Sequence, residues 1–301
     1  MAVTWMARRR WGLRLMHRLM MRPLVGTDAK GLSSDTIHIP SQSTPGHSIR
    51  ARVYKPENAE GPLTAMFYAH GGGYQMGVPE QAHAFFQDII GKRNVAIIAP
   101  AYRLSLIHDE PYPAGLNDCY DTLIWMKENA AELGIRDDKF IIAGHSGGGG
   151  MAAALTHKVV DTNAANIAFQ MPIYPMMDHR QITESSKIAG TMVWDKNSND
   201  LAWNNYLGHI SGEIDEYASP ALRTKFEGLP PTISFVGTME PFKDEVINYM
   251  TSLKDAGVDT RFEVFDKCIH GTEILAPKSS VGMSMNNFQI DAFAEFYDKY
   301  I

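Results

Sequence analysis

Ser146 lies in Ala143-Gly144-His145-Ser146-Gly147-Gly148-Gly149-Gly150, after the apolar run Lys139-Phe140-Ile141-Ile142 and before the helical pattern Met151-Ala152-Ala153-Ala154-Leu155. A serine between glycines where a strand turns into a helix is the arrangement that lifts a hydroxyl clear of the backbone as a nucleophile. Such a turn needs backbone angles that side chains obstruct, hence the small flanking residues. The helix that follows directs its positive end at the serine, where an oxyanion would form. Glycines cost roughly 1 kcal/mol each relative to alanine in a helix interior, so four in a row imply that something approaches this backbone closely. A bare G-x-S-x-G also arises by chance, and its company decides the case.

A second glycine cluster, Tyr68-Ala69-His70-Gly71-Gly72-Gly73-Tyr74, follows another apolar run, Leu63-Thr64-Ala65-Met66-Phe67. H-G-G-G after a strand offers backbone N–H groups to a developing oxyanion. Alone it reads equally well as a glycine-rich turn closing a hairpin. With the Ser146 motif downstream at a domain-scale separation, the chemical reading prevails.

These motifs need rigid elements behind them. Alternation in Thr36–Pro40 and Ile49–Tyr54, with Pro45-Gly46 between, predicts two antiparallel edge strands. Beyond Gly61-Pro62, buried strand-like runs alternate with helical patterns. The runs are Leu63–Tyr68, Asn94–Ala99, Lys139–Ala143, Ile167–Pro172, Thr232–Val236 and Thr260–Phe265; the helices fall near Glu80–Gly91, Ala114–Leu133, Gly147–Val160, Pro241–Ala256 and Met285–Tyr300. This is an α/β pattern with a mainly parallel central sheet flanked by helices. His70, Ser146, Glu240 and His270 each follow a strand, the end at which such sheets present their chemistry.

With Tyr102-Arg103-Leu104, Pro113-Ala114-Gly115-Leu116-Asn117-Asp118, the Leu229–Glu245 segment and Ile269-His270-Gly271 added, the chain resembles the α/β-hydrolase fold and, more narrowly, the hormone-sensitive-lipase-type esterases. The resemblance runs from about residue 48 to the C-terminus. It implies a triad of Ser146 as nucleophile, an acid at Glu240 and His270 as the base, with oxyanion N–H groups from Gly71, Gly72 and Gly147. The family usually has aspartate at the acid position; glutamate reaches an imidazole if its loop is set back, and Asp244 and Asp266 are the fallback acids. Gly147 stands where the family more often has alanine, which predicts roomier surroundings. The link Ser105–Glu110 is longer than usual. His70 is read as organiser of the glycine loop rather than a second base. The resemblance also implies one α/β-hydrolase domain over 1–301 with a helical cap built from about 1–35 and 176–218. The plainer reading of 176–218 is two surface helices.

The expected activity is serine carboxylester hydrolysis of short- to medium-chain esters through an acyl-enzyme. The rivals are an amidase, formamidase or lactonase on the same triad, and a non-catalytic ligand-binding protein on this fold, which the retained Ser146 and His270 disfavour.

A 301-residue chain with 45 % hydrophobic content buries one large core, and a net charge of −6 argues against a nucleic-acid surface. Cys119 and Cys268 are widely separated and read as two reduced thiols, which favours a cytoplasmic location. No metal, nucleotide or other cofactor motif is present. The expected partner is a small ester, with neither nucleic acid nor an integral membrane segment, and a homodimer is left open. From Met1 to Gly26 the chain lacks acidic residues and carries Arg8, Arg9, Arg10, Arg14, Arg18 and Arg22 among apolar side chains including Trp5, Met6, Leu13 and Leu19. An amphipathic membrane-surface helix and a transit-like peptide are open readings. The favoured one is a cap helix over the site.

Overall fold

The computed structural model describes residues 10–301. The eight strands are β1 (Leu32–Pro40), β2 (Ser48–Pro56), β3 (Leu63–Ala69), β4 (Val95–Pro100), β5 (Ile135–His145), β6 (Ile167–Ile173), β7 (Thr232–Gly237) and β8 (Thr260–Phe265). They form one sheet in the order β1-β2-β4-β3-β5-β6-β7-β8. β1 and β2, and β2 and β4, pair antiparallel; every later pairing is parallel. Strands β3, β4, β6 and β7 are buried at every residue, as expected where helices cover both faces of a parallel sheet. The two edges alternate instead, with Arg261 and Glu263 of β8 facing outward. β1 starts at Leu32, so residues 32–35, expected in the cap, belong to the sheet; residues 1–9 of that expected cap, Trp5, Met6, Arg8 and Arg9 among them, lie outside the described residues.

The longer helices are α1 (Arg10–Met16), α2 (His83–Lys92), α3 (Ala114–Glu128), α4 (Gly147–Thr162), α5 (Lys196–Leu207), α6 (Lys243–Asp255) and α7 (Ser280–Tyr300). α2 buries Phe85, Phe86, Ile89 and Ile90, a single stripe at helical spacing. The helix expected over Ala114–Leu133 breaks at Asn129, whose backbone leaves helical angles at φ −110° and ψ 21° after its N–H has closed the last helical bond to Trp125 O at 2.9 Å; its side-chain amide donates to the same carbonyl. A short turn, Ala130–Leu133, then stops at Gly134 with φ +59°. α7 starts at Ser280, five residues before the periodicity suggests, because the Ser279 side chain caps Gly282 N at 3.1 Å. Between β6 and β7 the described segment holds one longer helix, α5, rather than two. It is started by Asp195, whose carboxylate accepts from Ser198 N at 3.0 Å.

One buried ion pair fixes the loop after β4. The Arg103 guanidinium forks onto Asp118 of α3 at 2.8 and 3.0 Å, and Arg103 N donates to the same carboxylate at 2.8 Å. Asp118 is fully buried. The neighbouring Tyr102 hydroxyl then donates to His70 O at 2.7 Å, so the pair indirectly holds the H-G-G-G loop. Removing one partner of a buried pair leaves the other charge uncompensated. Asp118→Ala is expected to lower stability by about 3–5 kcal/mol in urea unfolding. A loss below about 1 kcal/mol would mean that Arg103 reaches water once freed.

Candidate active site

Ser146 sits at the turn between β5 and α4 with φ +59° and ψ −124°, a conformation that residues with a side chain seldom adopt. The turn is possible because its neighbours have no side chains. A Cβ on Gly144 would stand 2.2 Å from Gly148 O, and one on Gly148 would stand 2.1 Å from Ala69 O. These are backbone contacts that cannot give way, so both ends of G-x-S-x-G are dictated by packing. Ser146 N is paired with Ile173 O at 3.0 Å and Ser146 O with Met176 N at 3.1 Å, which ties the turn to the end of β6.

His270 Nε2 lies 2.8 Å from Ser146 Oγ, and His270 Nδ1 lies 2.5 Å from Glu240 Oε2. With a carboxylate accepting at Nδ1, that nitrogen carries the proton and Nε2 accepts from the serine hydroxyl. The other carboxylate oxygen, Glu240 Oε1, accepts from Gly237 N at 2.8 Å. Glu240 thus folds back on the end of β7, the set-back loop that its longer stem requires. The acid and histidine loops are joined by Met239 N to Cys268 O at 2.9 Å and Lys267 N to Thr238 Oγ1 at 2.8 Å. The fallback acids point elsewhere. Asp244 accepts from Ser185 N at 2.7 Å, and Asp266 is bonded to Thr238 Oγ1 at 3.3 Å.

The glycine loop lies against this trio. A Cβ on Gly71 would be 3.1 Å from His145 O and 3.6 Å from Ser146 Cβ, so Gly71 abuts the nucleophile. Gly72 has φ +129° and no space for a side chain, which would meet Met76 O at 1.8 Å. Gly147, expected in roomier surroundings, is instead crowded: a methyl there would meet Gly73 N at 2.7 Å and Tyr74 N at 2.8 Å. The glycine loop sits close enough here to use the space an alanine would take. His70 is fully buried, stacked on Tyr102 at 4.3 Å, with Nδ1 2.9 Å from Gly71 O. Burial pulls its pKa down to about 4, so it is neutral near pH 7 and braces the loop.

Several residues near the site carry no sequence signature. Tyr174, just past β6 with φ +32°, packs edge-to-face on His270 at 4.6 Å, and Phe242 does the same at 5.1 Å. The Tyr174 hydroxyl donates to buried Glu273, three residues beyond His270. Burial raises the Glu273 carboxyl above its usual range. Glu273 O accepts from Asn286 of α7 at 3.2 Å, Asn286 Oδ1 accepts from Gln289 at 2.9 Å, and Gln289 Oε1 lies 3.1 Å from His145 Nε2. This buried chain links the histidine loop to the residue preceding the serine. Only the position of Glu273 just after His-Gly could have drawn attention to it.

Residues from α1 and the β6–β7 connection lie against the outer side of the glycine loop. Arg14 reaches Leu106 O at 3.1 Å and both Asp109 oxygens at 2.7 Å, so the long 105–110 link is where α1 docks. His17 Nε2 lies 3.4 Å from Gly77 O, and Asn205 of α5 donates to Gln75 Oε1 at 2.8 Å. Among the described residues, no helix is long and apolar enough to cross a membrane.

Comparison with known proteins agrees with this geometry. A family model described as the alpha/beta hydrolase fold matches residues 66–274. The carboxylesterase NlhH of Mycobacterium tuberculosis is 30 % identical over 241 residues, 74 % of this chain and 70 % of that protein. The ethyl acetate hydrolase of Pseudomonas putida is 25 % identical over 75 % of this chain and 71 % of its own length. Among solved structures, a bacterial heroin esterase superposes with a TM-score of 0.87 at 28 % identity, covering 94 % of this chain and 90 % of that one. The chain belongs to the α/β-hydrolase fold family, and within it to the hormone-sensitive-lipase-type esterases.

Proposed function

We propose that this protein is a serine carboxylester hydrolase acting on esters of short to medium chain length, with Ser146, His270 and Glu240 as its triad. The observation that carries this reading is the unbroken hydrogen-bonded line from Ser146 Oγ through His270 to Glu240, beside a glycine loop and a helix N-terminus. As Ser146 Oγ attacks the ester carbonyl, His270 Nε2 takes its proton and Glu240 stabilises the imidazolium. The carbonyl oxygen becomes an oxyanion held by N–H groups of Gly71, Gly72 and Gly147, and each such donor contributes about 10²–10³ in rate in comparable enzymes. Gly73, packed on Gly147, is a further donor candidate. His270 then gives its proton to the departing alkoxide, leaving an acyl group on Ser146. Water attacks the acyl-enzyme by the same route and returns the serine.

Residues 10–31 and 176–218 form the cap in this reading, supported by the docking of α1 and α5 on the glycine loop. A cytoplasmic location is supported by Cys119 and Cys268, both buried and free.

Ser146→Ala should leave the fold intact and lower kcat on a small aryl ester by about 10⁶, the loss seen when a serine protease loses its nucleophile. Retention of more than a few per cent of activity would remove Ser146 from the mechanism. Glu240→Gln should cost about 10⁴ in kcat, because the amide favours the wrong imidazole tautomer. Glu240→Asp should fold and turn over more slowly, since its shorter stem leaves a gap to Nδ1. A Glu240→Gln enzyme with near-normal kcat would return the acid's role to Asp244 or Asp266.

A further inference from the structure

Trp194 brings an indole to the site from the segment between β6 and α5. A Cβ on Gly73 would stand 2.2 Å from its Cη2 atom and 2.8 Å from Cζ2, so the outer edge of the ring abuts the glycine loop. On its other side it faces Phe242 at 6.4 Å, and Phe242 in turn packs on His270 at 5.1 Å. His270 is bonded to Ser146, Ser146 is joined to Gly147, and Gly147 touches Gly73. These six residues form a closed ring of contacts that includes Ser146.

The indole is held in that circuit rather than resting on it. Its Nε1–H donates to Asn199 Oδ1 at 3.2 Å, and the fully buried Asn199 donates onward to Gln181 Oε1 at 3.0 Å. The Thr191 hydroxyl donates to Trp194 O, and Lys196 N pairs with Ile188 O at 2.8 Å, closing the loop that carries the ring. A large, rigid ring fixed in this way does not yield to a bulky substituent as a flexible side chain would.

We propose that Trp194 is a specificity-determining residue that sets the largest ester able to reach Ser146, an inference that rests on the esterase reading above. The class of ester it selects is one with small groups at the reacting carbon. A residue that merely packs the cap down would affect all esters alike when truncated.

The test compares the wild type with Trp194→Ala and Trp194→Phe on two series: p-nitrophenyl acetate, butyrate and hexanoate, and ethyl, butyl and hexyl acetate. Active sites are counted with a fluorophosphonate, and the readout is the ratio of kcat/KM for the longest ester to that for the shortest within each protein. That ratio is independent of how much of a variant folds. Trp194→Ala is expected to raise it by about tenfold or more in at least one series, the scale of discrimination attached to one or two methylenes in a pocket. The series that responds says whether the acyl or the alkoxy group meets the indole. Trp194→Phe, which keeps a ring in the packing, should shift the ratio in the same direction by less. Ratios unchanged within about twofold in both series, with Ser146 still labelled, would overturn the role of Trp194. A wild type that the fluorophosphonate does not label would instead overturn the esterase reading, and this inference with it.

Discussion

The first turn of α4 rests directly on the backbone at the end of β3. A side chain on Gly148 would strike Ala69 O at 2.1 Å and His70 O at 2.5 Å, so the nucleophile turn and the glycine loop meet backbone to backbone. That contact sets how far Ser146 stands from the glycine loop. The rest of the site is arranged around it. The parallel pairing of β3, β5, β6, β7 and β8 brings four loops to one end of the sheet. The bonds between the Thr238–Glu240 and Lys267–His270 segments then make the acid and the imidazole move as one piece.

Two carboxyls stand near His270, and their surroundings separate their roles. Glu240 accepts a backbone N–H on one oxygen and faces the imidazole with the other. Glu273 is buried with one oxygen on the Tyr174 hydroxyl and the other without a partner, and burial pushes its pKa up. Glu273 anchors Tyr174 against the ring. The chain onward through Asn286 and Gln289 to His145 makes α7 part of the support for the histidine loop, although α7 contributes no group to the chemistry.

What the sequence revealed was local. Ser146, His70 and the three glycines stand in short motifs whose backbone demands are written in neighbouring residues, and the strand before each motif is an apolar run. Glu240 was legible despite replacing an aspartate, because its place after β7 is a matter of chain order. Contacts across the fold were not legible. Tyr174, Glu273 and Trp194 matter through residues 96, 99 and 121 positions away in the chain, which are His270, Tyr174 and Gly73 in turn. The crowding at Gly147 was misjudged for the same reason: room depends on where Gly73 lies, not on the size of residue 147. Boundaries moved where the backbone left helical angles, as at Asn129, or where a side chain supplied a cap, as at Ser279. β5 extends back to Ile135 because Ile135 pairs with Leu63 ahead of an irregular register, something alternation within Lys139–Ala143 cannot show.

The glycine loop is therefore held from two sides by different physics. Its inner side meets α4 through backbone contacts that tolerate no side chain at Gly148. Its outer side meets His17, just past α1, and α5 through polar contacts at Gly77 and Gln75 and through the stacking of Tyr74 on Tyr206 at 4.3 Å. The inner contact cannot shift without moving Ser146. The outer ones are made by side chains, most of them buried, while Leu19 and Met192 of the surrounding segments are exposed. A change on the outer side can then alter the surroundings of Ser146 while the backbone contact at Gly148 stays in place. That division suits a family in which one reaction serves many substrates: the chemistry is set by backbone packing that cannot vary, and selectivity by side chains that can.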